Sequence, residues 1–281
     1  MTDRLTLGVM TPPGGRGPPW PNVAEIESVL PHDKWTLVGG LMTQLHAARN
    51  GIYTVRPTDD VDIVLHIETT RGLPARAAAA LEGIGYELVL PLDPRERTAH
   101  RFKRAGQLVD LVTAHRETSV VEPGVVDVLI ADHPAPSVVG TLRGKDMVAI
   151  EGGTQALRRT VLATLAIREA HLTTISTPSV FGALVLKAAA FRTDSRDPQR
   201  HLQDAAILLA CLDSPLAARE QYTRTSPGCR RCSGTCRMTR RSGGCSAGGQ
   251  PTGRPRCDCS SPSSAGTTSV TGGRVGSHSM S

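Results

Sequence analysis

Apolar positions between residues 23 and 222 repeat at helical spacing in some segments and at strand spacing in others. Residues 23–30 repeat them every three to four positions, which predicts a helix, and Asn22 is placed to cap it. Residues 35–38, WTLV, predict a short strand, and residues 41–49 predict a second helix directly after it. A strand followed at once by a helix is typical of proteins that mix the two in one core.

The same pattern continues towards the middle of the chain. Residues 61–67, VDIVLHI, are apolar and β-branched and predict a buried strand, and residues 73–85 predict a helix. A hairpin is predicted from His100–Arg104 and Leu108–Val112, with its turn at Ala105 and Gly106. Residues 146–167 are rich in strand-forming residues and either extend the sheet or link two halves of the protein.

Two helices are predicted in the second half of the folded region. The first starts in STPSVFGALVLKAAAFR with Thr177 as its cap and Pro178 at its first position. The second is PQRHLQDAAILLACL, from residue 198. We therefore expect an α/β (α+β) fold with a mixed sheet, flanking helices and a C-terminal helical part.

The pattern also predicts where the chain divides. Residues 1–22 are rich in proline and glycine and predict a disordered leader, residues 23–170 an α/β domain, and residues 171–222 a helical part. Residues 223–281 contain no Leu, Ile, Phe, Trp or Tyr, so they have too little apolar surface to offset the entropy of ordering. We expect a disordered tail there, and a reading-frame shift in a GC-rich gene is one explanation for it.

Charge and cysteine are concentrated at the C-terminus. From Gln221 onwards there are nine arginines, no lysine and one acid, Asp258, so this segment carries +8 and residues 1–220 carry −2. Six of the seven cysteines lie in the tail, where CRRCSGTC and CDC are weak candidates for a zinc site. The rest of the chain is typical of a reduced protein, and with no long apolar segment and no signal peptide we expect a cytoplasmic protein without a membrane span.

The acids at the start of the strand predicted at residues 61–67 are the main candidates for chemistry. Asp60 and Asp62 lie two residues apart in a strand, so they share a face, and Asp59 points to the opposite side. Adjacent carboxylates repel each other and lose hydration, which a divalent cation such as Mg²⁺ would relieve. The alternative is an exposed acidic strand end without a ligand.

Gly39 and Gly40 lie where the WTLV strand turns into a helix. Glycine lets the backbone approach a ligand closely, and a helix N-terminus offers N–H groups and positive dipole charge. The junction therefore predicts a phosphate site, although a plain tight turn would have the same sequence.

Two acids compete for the place of a third carboxylate. Asp110 lies among apolar residues in the second strand of the predicted hairpin, which could place it beside the strand of Asp60 and Asp62. Asp127, in GVVDVLIADH, has the same apolar setting. We favour Asp110 because of the hairpin and keep Asp127 as the alternative.

Lys187 and Asp204 each lie on the apolar face of a predicted helix. Two opposite charges on buried faces predict either a structural ion pair or part of a functional site. Arg192 and Arg200 are further candidates for phosphate contacts.

The segments VGGLMTQLHAARNG and RPTDDVDIVL resemble the glycine turn and the R-x-T-x-D-x-D element of the DNA polymerase β-like nucleotidyltransferase superfamily, and are most similar to its AbiEii-type branch, which includes toxins of toxin–antitoxin and phage-defence systems. The resemblance implies a nucleotidyltransferase-type sheet, two Mg²⁺ ions on Asp60, Asp62 and a third carboxylate, and a nucleoside triphosphate held at Gly39 and Gly40.

The resemblance also implies roles for further residues and for partners. Arg56 and Thr58 would hold the acidic strand or contact phosphate, and Lys187 and Asp204 match a lysine and an aspartate that complete the site in AbiEii-like proteins. The acceptor would be RNA, such as tRNA, or a protein, and an antitoxin would be a binding partner. The alternatives are a catalytically inactive relative, or a nucleic-acid-binding protein acting through its basic tail.

Overall fold

The computed structural model describes residues 4–11, 16–105, 107–111, 117–134, 139–168 and 171–214, with the side chains of 107–111, 117–121, 168 and 171 excepted. The chain divides into two units, Met1–Arg230 and Arg231–Ser281, and every described residue belongs to the first. The predicted tail, residues 223–281, lies outside the described residues.

The described part of the chain contains both helices and strands, which confirms a mixed α/β fold. The helices there are α1 Trp20–Val29, α2 Gly39–Arg49, α3 Leu73–Gly83, α4 Gly153–Leu157, α5 Val180–Thr193 and α6 Gln199–Ala210. The strands are β1 Thr6–Val9, β2 Trp35–Leu37, β3 Asp60–Leu65, β4 Glu87–Leu88, β5 Arg101–Arg104, β6 Gln107–Leu111, β7 Glu117–Val121, β8 Gly124–Ala131, β9 Thr141–Leu142, β10 Lys145–Asp146, β11 Ala149–Ile150, β12 Thr160–Arg168 and β13 His171–Pro178.

The main sheet has the strand order β2-β3-β8-β5-β4, and β11 pairs with the end of β8. β3 runs antiparallel to β2 and parallel to β8, and β5 is antiparallel to β8, so the sheet is mixed. β3 and β8 are thus direct neighbours, although about sixty residues separate them in the sequence. Side chains that they project from the same face meet in space.

A second sheet has the order β1-β12-β13, and it corrects the prediction of a disordered leader. β1, inside the predicted leader, pairs in parallel with β12. Its alternate residues Leu7 and Val9 are buried, because the short apolar alternation of TLGV gives the strand one inward face. The leader prediction is therefore wrong for these residues.

The same sheet corrects the predicted boundary at residue 170. β13 pairs antiparallel with β12, so residues 171–178 extend a hairpin rather than open a helical part. Thr177 lies in this strand and does not cap a helix. The cap of α5 is Ser179, whose side chain accepts a hydrogen bond from the backbone N–H of Gly182 at 3.3 Å. Part of the segment 146–167 extends the main sheet, as one of the two predictions has it, through β11, whereas β12 lies in the second sheet.

Two further local predictions are wrong. α1 begins at Trp20, so Asn22 lies inside the helix, where its buried amide donates a hydrogen bond to Tyr86 Oη at 2.7 Å. The predicted hairpin does not form either: β5 pairs with β8 and β4, whereas β6 pairs with β7. Packing explains the second error, because Phe102 of β5 is fully buried opposite Val126 of β8, in a long-range pair that local pattern does not reveal.

The main sheet packs on both faces. One face contributes Val61, Ile63, Val126 and Val128 to a large apolar core with α1, α3 and the second sheet. The opposite face contributes Val64 and Leu129 to a smaller core with α4, α5 and α6, and this is the face to which Asp60, Asp62 and Asp127 belong by strand alternation. None of the six described helices has the length and apolarity needed to cross a membrane.

Candidate functional site

A cleft of about 410 Å³ lies at the start of β3, between the small-core face of the main sheet and helices α2, α5 and α6. Its lining includes nearly all the residues singled out from the sequence. They are Gly39, Gly40, Arg56, Thr58, Asp60, Asp62, Asp127, Lys187 and Arg200. The lining also includes Arg101 and His201, which were not singled out from the sequence. Residues from across the chain therefore meet in one place.

Three carboxylates form the floor of this cleft. Asp60 and Asp62 project from the same face of β3, as predicted, and Asp127 of β8 is the register partner of Asp62. One oxygen from each carboxylate lies within 4.8 Å of one from each of the others, which is close enough for the three to share a metal ion. We call Asp60, Asp62 and Asp127 the acidic triad.

The third member of the triad corrects our preference for Asp110. Asp110 lies on β6, which pairs with β7 and not with β3, and its side chain is outside the described set. The preference depended on a β5–β6 hairpin that does not form. Because β8 is the direct neighbour of β3, the alternative residue, Asp127, has the place of the third carboxylate.

Asp62 has the least favourable environment for a negative charge. Burial is the largest cause, followed by the charges of Asp60 and Asp127, and together they raise its pKa from 3.8 to about 7, while Lys187 and Arg200 act in the opposite direction. The Oδ1 atom of Asp60 accepts a hydrogen bond from Thr58 Oγ1 at 2.7 Å. A bound cation would stabilise the ionised form of Asp62.

The N-terminus of α2 packs directly against the triad, and this contact requires glycine. Gly39 has φ +70°, and a Cβ added to it would lie 1.8 Å from Asp62 Oδ2. A Cβ on Gly40 would lie 2.8 Å from Thr58 Cβ and Oγ1. No side chain caps this helix, and its first two residues, Gly39 and Gly40, line the cleft. The predicted strand–glycine–helix junction is confirmed, and it is a close approach and not only a tight turn.

Lys187 and Asp204 form a buried ion pair between α5 and α6. Lys187 Nζ lies 2.6 Å from Asp204 Oδ2, and the two residues are 5% and 2% exposed. Arg56 Nη2 lies 3.7 Å from the same oxygen. The structural pairing that the sequence left open is therefore present, and Lys187 also lines the cleft.

Arg101 is the main residue that the sequence analysis missed. Its Nε and Nη2 donate to Asp127 Oδ1 and Oδ2 at 2.8 and 2.6 Å, a two-pronged contact that raises the pKa of the guanidinium. Side chains alternate along RFKR, so the apolar Phe102 on one face predicts that Arg101 points to the other face. Its partner could not be inferred, because the β5–β8 pairing is not local.

His201 is a second residue that was missed. It is 9% exposed, lines the cleft, and its Nε2 lies 3.0 Å from Asp194 Oδ2. Burial lowers its pKa, while Asp194 opposes this effect. Arg200, named as a candidate for phosphate contact, lines the cleft and pairs with the same Asp194 oxygen at 2.8 Å. Arg192 is 3.9 Å from Glu151 and is not among the residues lining the cleft.

Comparisons of the chain with protein-family models, with curated proteins and with solved structures find no significant match. The site itself therefore carries the functional argument. Its donor set is three carboxylates, which suits a hard divalent cation, and the glycine-lined helix N-terminus beside them suits an anion.

Proposed function

We propose that this protein is a metal-dependent nucleotidyltransferase, which transfers a nucleotidyl group from a nucleoside triphosphate to an acceptor hydroxyl and releases pyrophosphate. The observation that carries the proposal is the contact between Gly39 and Asp62. It places a helix N-terminus, which suits phosphate, directly against a carboxylate cluster, which suits a cation. A metal–triphosphate complex needs both in one cleft.

The sheet supports the same assignment. The helix α2 connects β2 to β3, the first two acids open β3, and the third acid lies on the adjacent parallel strand β8. This is the arrangement that the resemblance to the polymerase β-like nucleotidyltransferases implies. We therefore assign the mixed sheet to the nucleotidyltransferase type.

The acidic triad would hold the metal, for which we propose Mg²⁺. The three carboxylates bring more negative charge together than burial favours, as the raised pKa of Asp62 indicates. When bound, Mg²⁺ would neutralise charge on the triphosphate and lower the pKa of the attacking hydroxyl. Thr58, through its hydrogen bond to Asp60, fixes the orientation of one ligand.

The remaining cleft residues would bind the triphosphate. The first N–H groups of α2, at Gly39 and Gly40, would donate to phosphate oxygens. Lys187 would donate to the transferred phosphate, where charge grows as the acceptor oxygen bonds to phosphorus and the bond to the bridging oxygen breaks. Asp204 positions the ammonium group for this task, and Arg56 balances the charge of that carboxylate.

We propose RNA as the acceptor, because the mouth of the cleft is basic. A shallow depression continuing from it is lined by Arg56, Arg101, Lys103 and Arg200, with two acids, Asp59 and Asp60. Such a rim attracts a phosphate backbone. A role as the toxin of a toxin–antitoxin pair, with an antitoxin protein as partner, is a proposal that follows from the resemblance alone.

The test is transfer of label from α-³²P nucleoside triphosphates. The full-length protein would be incubated with each triphosphate, Mg²⁺ and total tRNA, and both RNA and protein would be separated on gels. We expect labelled RNA, and no label when Asp60 and Asp62 are both replaced by Asn. Asp59→Asn is the matched control, because this exposed acid precedes the same strand on the opposite side, and its removal from the basic rim should not lower the activity.

The outcomes separate the alternatives. Label on the protein itself and not on RNA would replace the RNA acceptor by a protein acceptor. Equal labelling by the Asp60→Asn/Asp62→Asn variant would remove the site from the reaction. Absence of any transfer, together with absence of Mg²⁺-dependent triphosphate binding, would favour a catalytically inactive protein.

A further inference from the structure

The two oxygens of Asp127 are both engaged by one side chain. Arg101 and Asp127 are register partners on the antiparallel strands β5 and β8, and the guanidinium donates to Oδ1 and Oδ2 at 2.8 and 2.6 Å. The Asp127 side chain is 8% exposed and the Arg101 side chain 43%, so a buried acid is paired with a partly exposed arginine. Two-pronged contacts between charged groups are among the strongest hydrogen bonds in proteins.

The other two carboxylates are not occupied in this way. Asp60 accepts one hydrogen bond, from Thr58, and among the described residues the carboxylate of Asp62 accepts none. The triad is therefore asymmetric. Asp62 has no hydrogen-bond donor among the described residues, whereas Asp127 already has a cationic partner, the guanidinium of Arg101.

Charge counting leads to the same division. The three carboxylates carry −3 when ionised, and Arg101, which also lies close enough to Asp60 and Asp62 to interact with their charges, reduces this to −2. Lys187 and Arg200 also act on Asp62, but Asp204 and Asp194 balance their charges, so they are not counted. One divalent ion balances that charge. A second ion would have to compete with the guanidinium for the same lone pairs of Asp127.

We infer that Arg101 takes the place of a second metal ion, so that the triad holds a single divalent cation. This rests on the proposed function in that it treats the triad as a metal site, and it replaces the two ions that the sequence resemblance implies. Asp127 can still reach the ion through its remaining lone pairs, while Arg101 fixes its orientation. Arg101 is thus a positioning residue.

The test counts metal ions and needs no substrate. Mn²⁺ would be titrated into the full-length protein and followed by electron paramagnetic resonance, which reports free Mn²⁺ and detects coupling between two bound ions. We expect one Mn²⁺ per chain, with affinity falling at least about tenfold in Asp62→Asn. In Arg101→Met, where Asp127 is released, we expect two Mn²⁺ per chain and a spin-coupled signal.

The matched control is Lys103→Met. Lys103 lies two residues along the same strand and on the same face, lines the same depression, and faces Val125 instead of an acid. Its removal takes away one positive charge without releasing Asp127, so the count should stay at one. A rise to two in this control would assign the effect to general charge and overturn the role of Arg101.

Each remaining outcome is decisive. Two Mn²⁺ in the unmodified protein would overturn the inference and leave the proposed function standing. Absence of Mn²⁺ binding would overturn both. The count on the unmodified protein does not depend on the folding of any variant. Arg101→Lys keeps the positive charge but loses the two-pronged contact with Asp127, so it should exclude the second ion less strongly than arginine does.

Discussion

At the scale of single residues, the site is built from contacts that each demand one residue type. Gly39 has a left-handed backbone and no room for a Cβ, because the carboxylate of Asp62 fills the space where one would lie. Asp62 in turn is held among two other acids in a partly buried position. Burial and neighbouring charge disfavour the ionised form of Asp62, which is common where binding groups are concentrated.

The cost of a side chain at Gly39 can be separated from the cost of its backbone angle. Gly51 has nearly the same φ, +71°, but nothing lies within 4 Å of the place where its Cβ would be. Gly51→Ala should therefore lower the free energy of unfolding by only about 1–2 kcal/mol. Gly39→Ala should cost clearly more, because Asp62 must move, and chemical denaturation of both variants measures the difference. Equal losses in the free energy of unfolding would show that the Asp62 side chain moves aside at little cost.

The raised pKa of Asp62 predicts a pH dependence of stability. Between pH 4 and 7 the folded protein keeps a proton on Asp62 that the unfolded chain releases, so its contribution to stability falls as pH rises. Asp62→Asn should match the native protein below pH 4 and become more stable than it as the pH approaches 7, with the gap constant above. Denaturation in EDTA across this range tests the prediction. A gap of opposite sign for Asp62→Asn would mean that the ionised carboxylate is stabilised in the fold.

At the scale of elements, α5 and α6 close the small-core face of the sheet over the triad. Apolar contacts hold them there through Ala183, Leu186 and Leu208, next to Val64 and Leu129 of the sheet. Lys187 and Asp204 form a fully paired polar contact between the two helices, at the edge of this apolar layer. The pair lies where it can stabilise the packing and also reach the cleft.

The two roles of this pair give different double-variant results. Asp204→Leu alone leaves the buried charge of Lys187 without its partner, which costs roughly 3–5 kcal/mol. Lys187→Met alone should cost less, because Asp204 keeps Arg56 at 3.7 Å. The combined variant should recover much of that stability, because two apolar side chains replace the pair. Nucleotidyl transfer should stay lost in the combined variant, since Lys187 would act on the transferred phosphate. Recovery of turnover together with stability, measured by denaturation and the labelling assay, would make the pair purely structural.

At the scale of the whole molecule, the described fold joins two sheets through a shared apolar core. β1 and β12 of the second sheet contribute Val9, Ala163 and Leu165 to the same core as the main sheet. The N-terminal strand is therefore part of the folded unit, and the excess positive charge of the chain lies beyond it, in residues 221–281.

Removal of residues 223–281 should leave the melting temperature nearly unchanged, because the segment contains few large apolar side chains. Non-specific binding to nucleic acid at low salt should weaken, since all nine arginines counted from Gln221 onwards are removed. Thermal denaturation and filter binding at two salt concentrations check both effects. Stoichiometric zinc in the full-length protein that is lost on truncation would instead indicate a structured metal site in the tail.

The sequence by itself determined the local parts of the site. Two-residue spacing placed Asp60 and Asp62 on one face of a strand, and the position of Gly39 and Gly40 between a strand and a helix placed them at a helix N-terminus. The apolar stripes also placed Lys187 and Asp204 on buried faces. These features depend on periods of two and 3.6 residues, which the order of residues alone reveals.

Only the tertiary structure decided which distant strands meet. Asp110 and Asp127 have equivalent apolar neighbours in sequence, and the pairing of β8 with β3 selects Asp127. The pairing of β8 with β5, in turn, brings Arg101 to Asp127. Strand pairing is set by the burial of whole faces across long sequence separations, as with Phe102 against Val126. Packing, and not local pattern, therefore selects Asp127 as the third carboxylate and Arg101 as its partner.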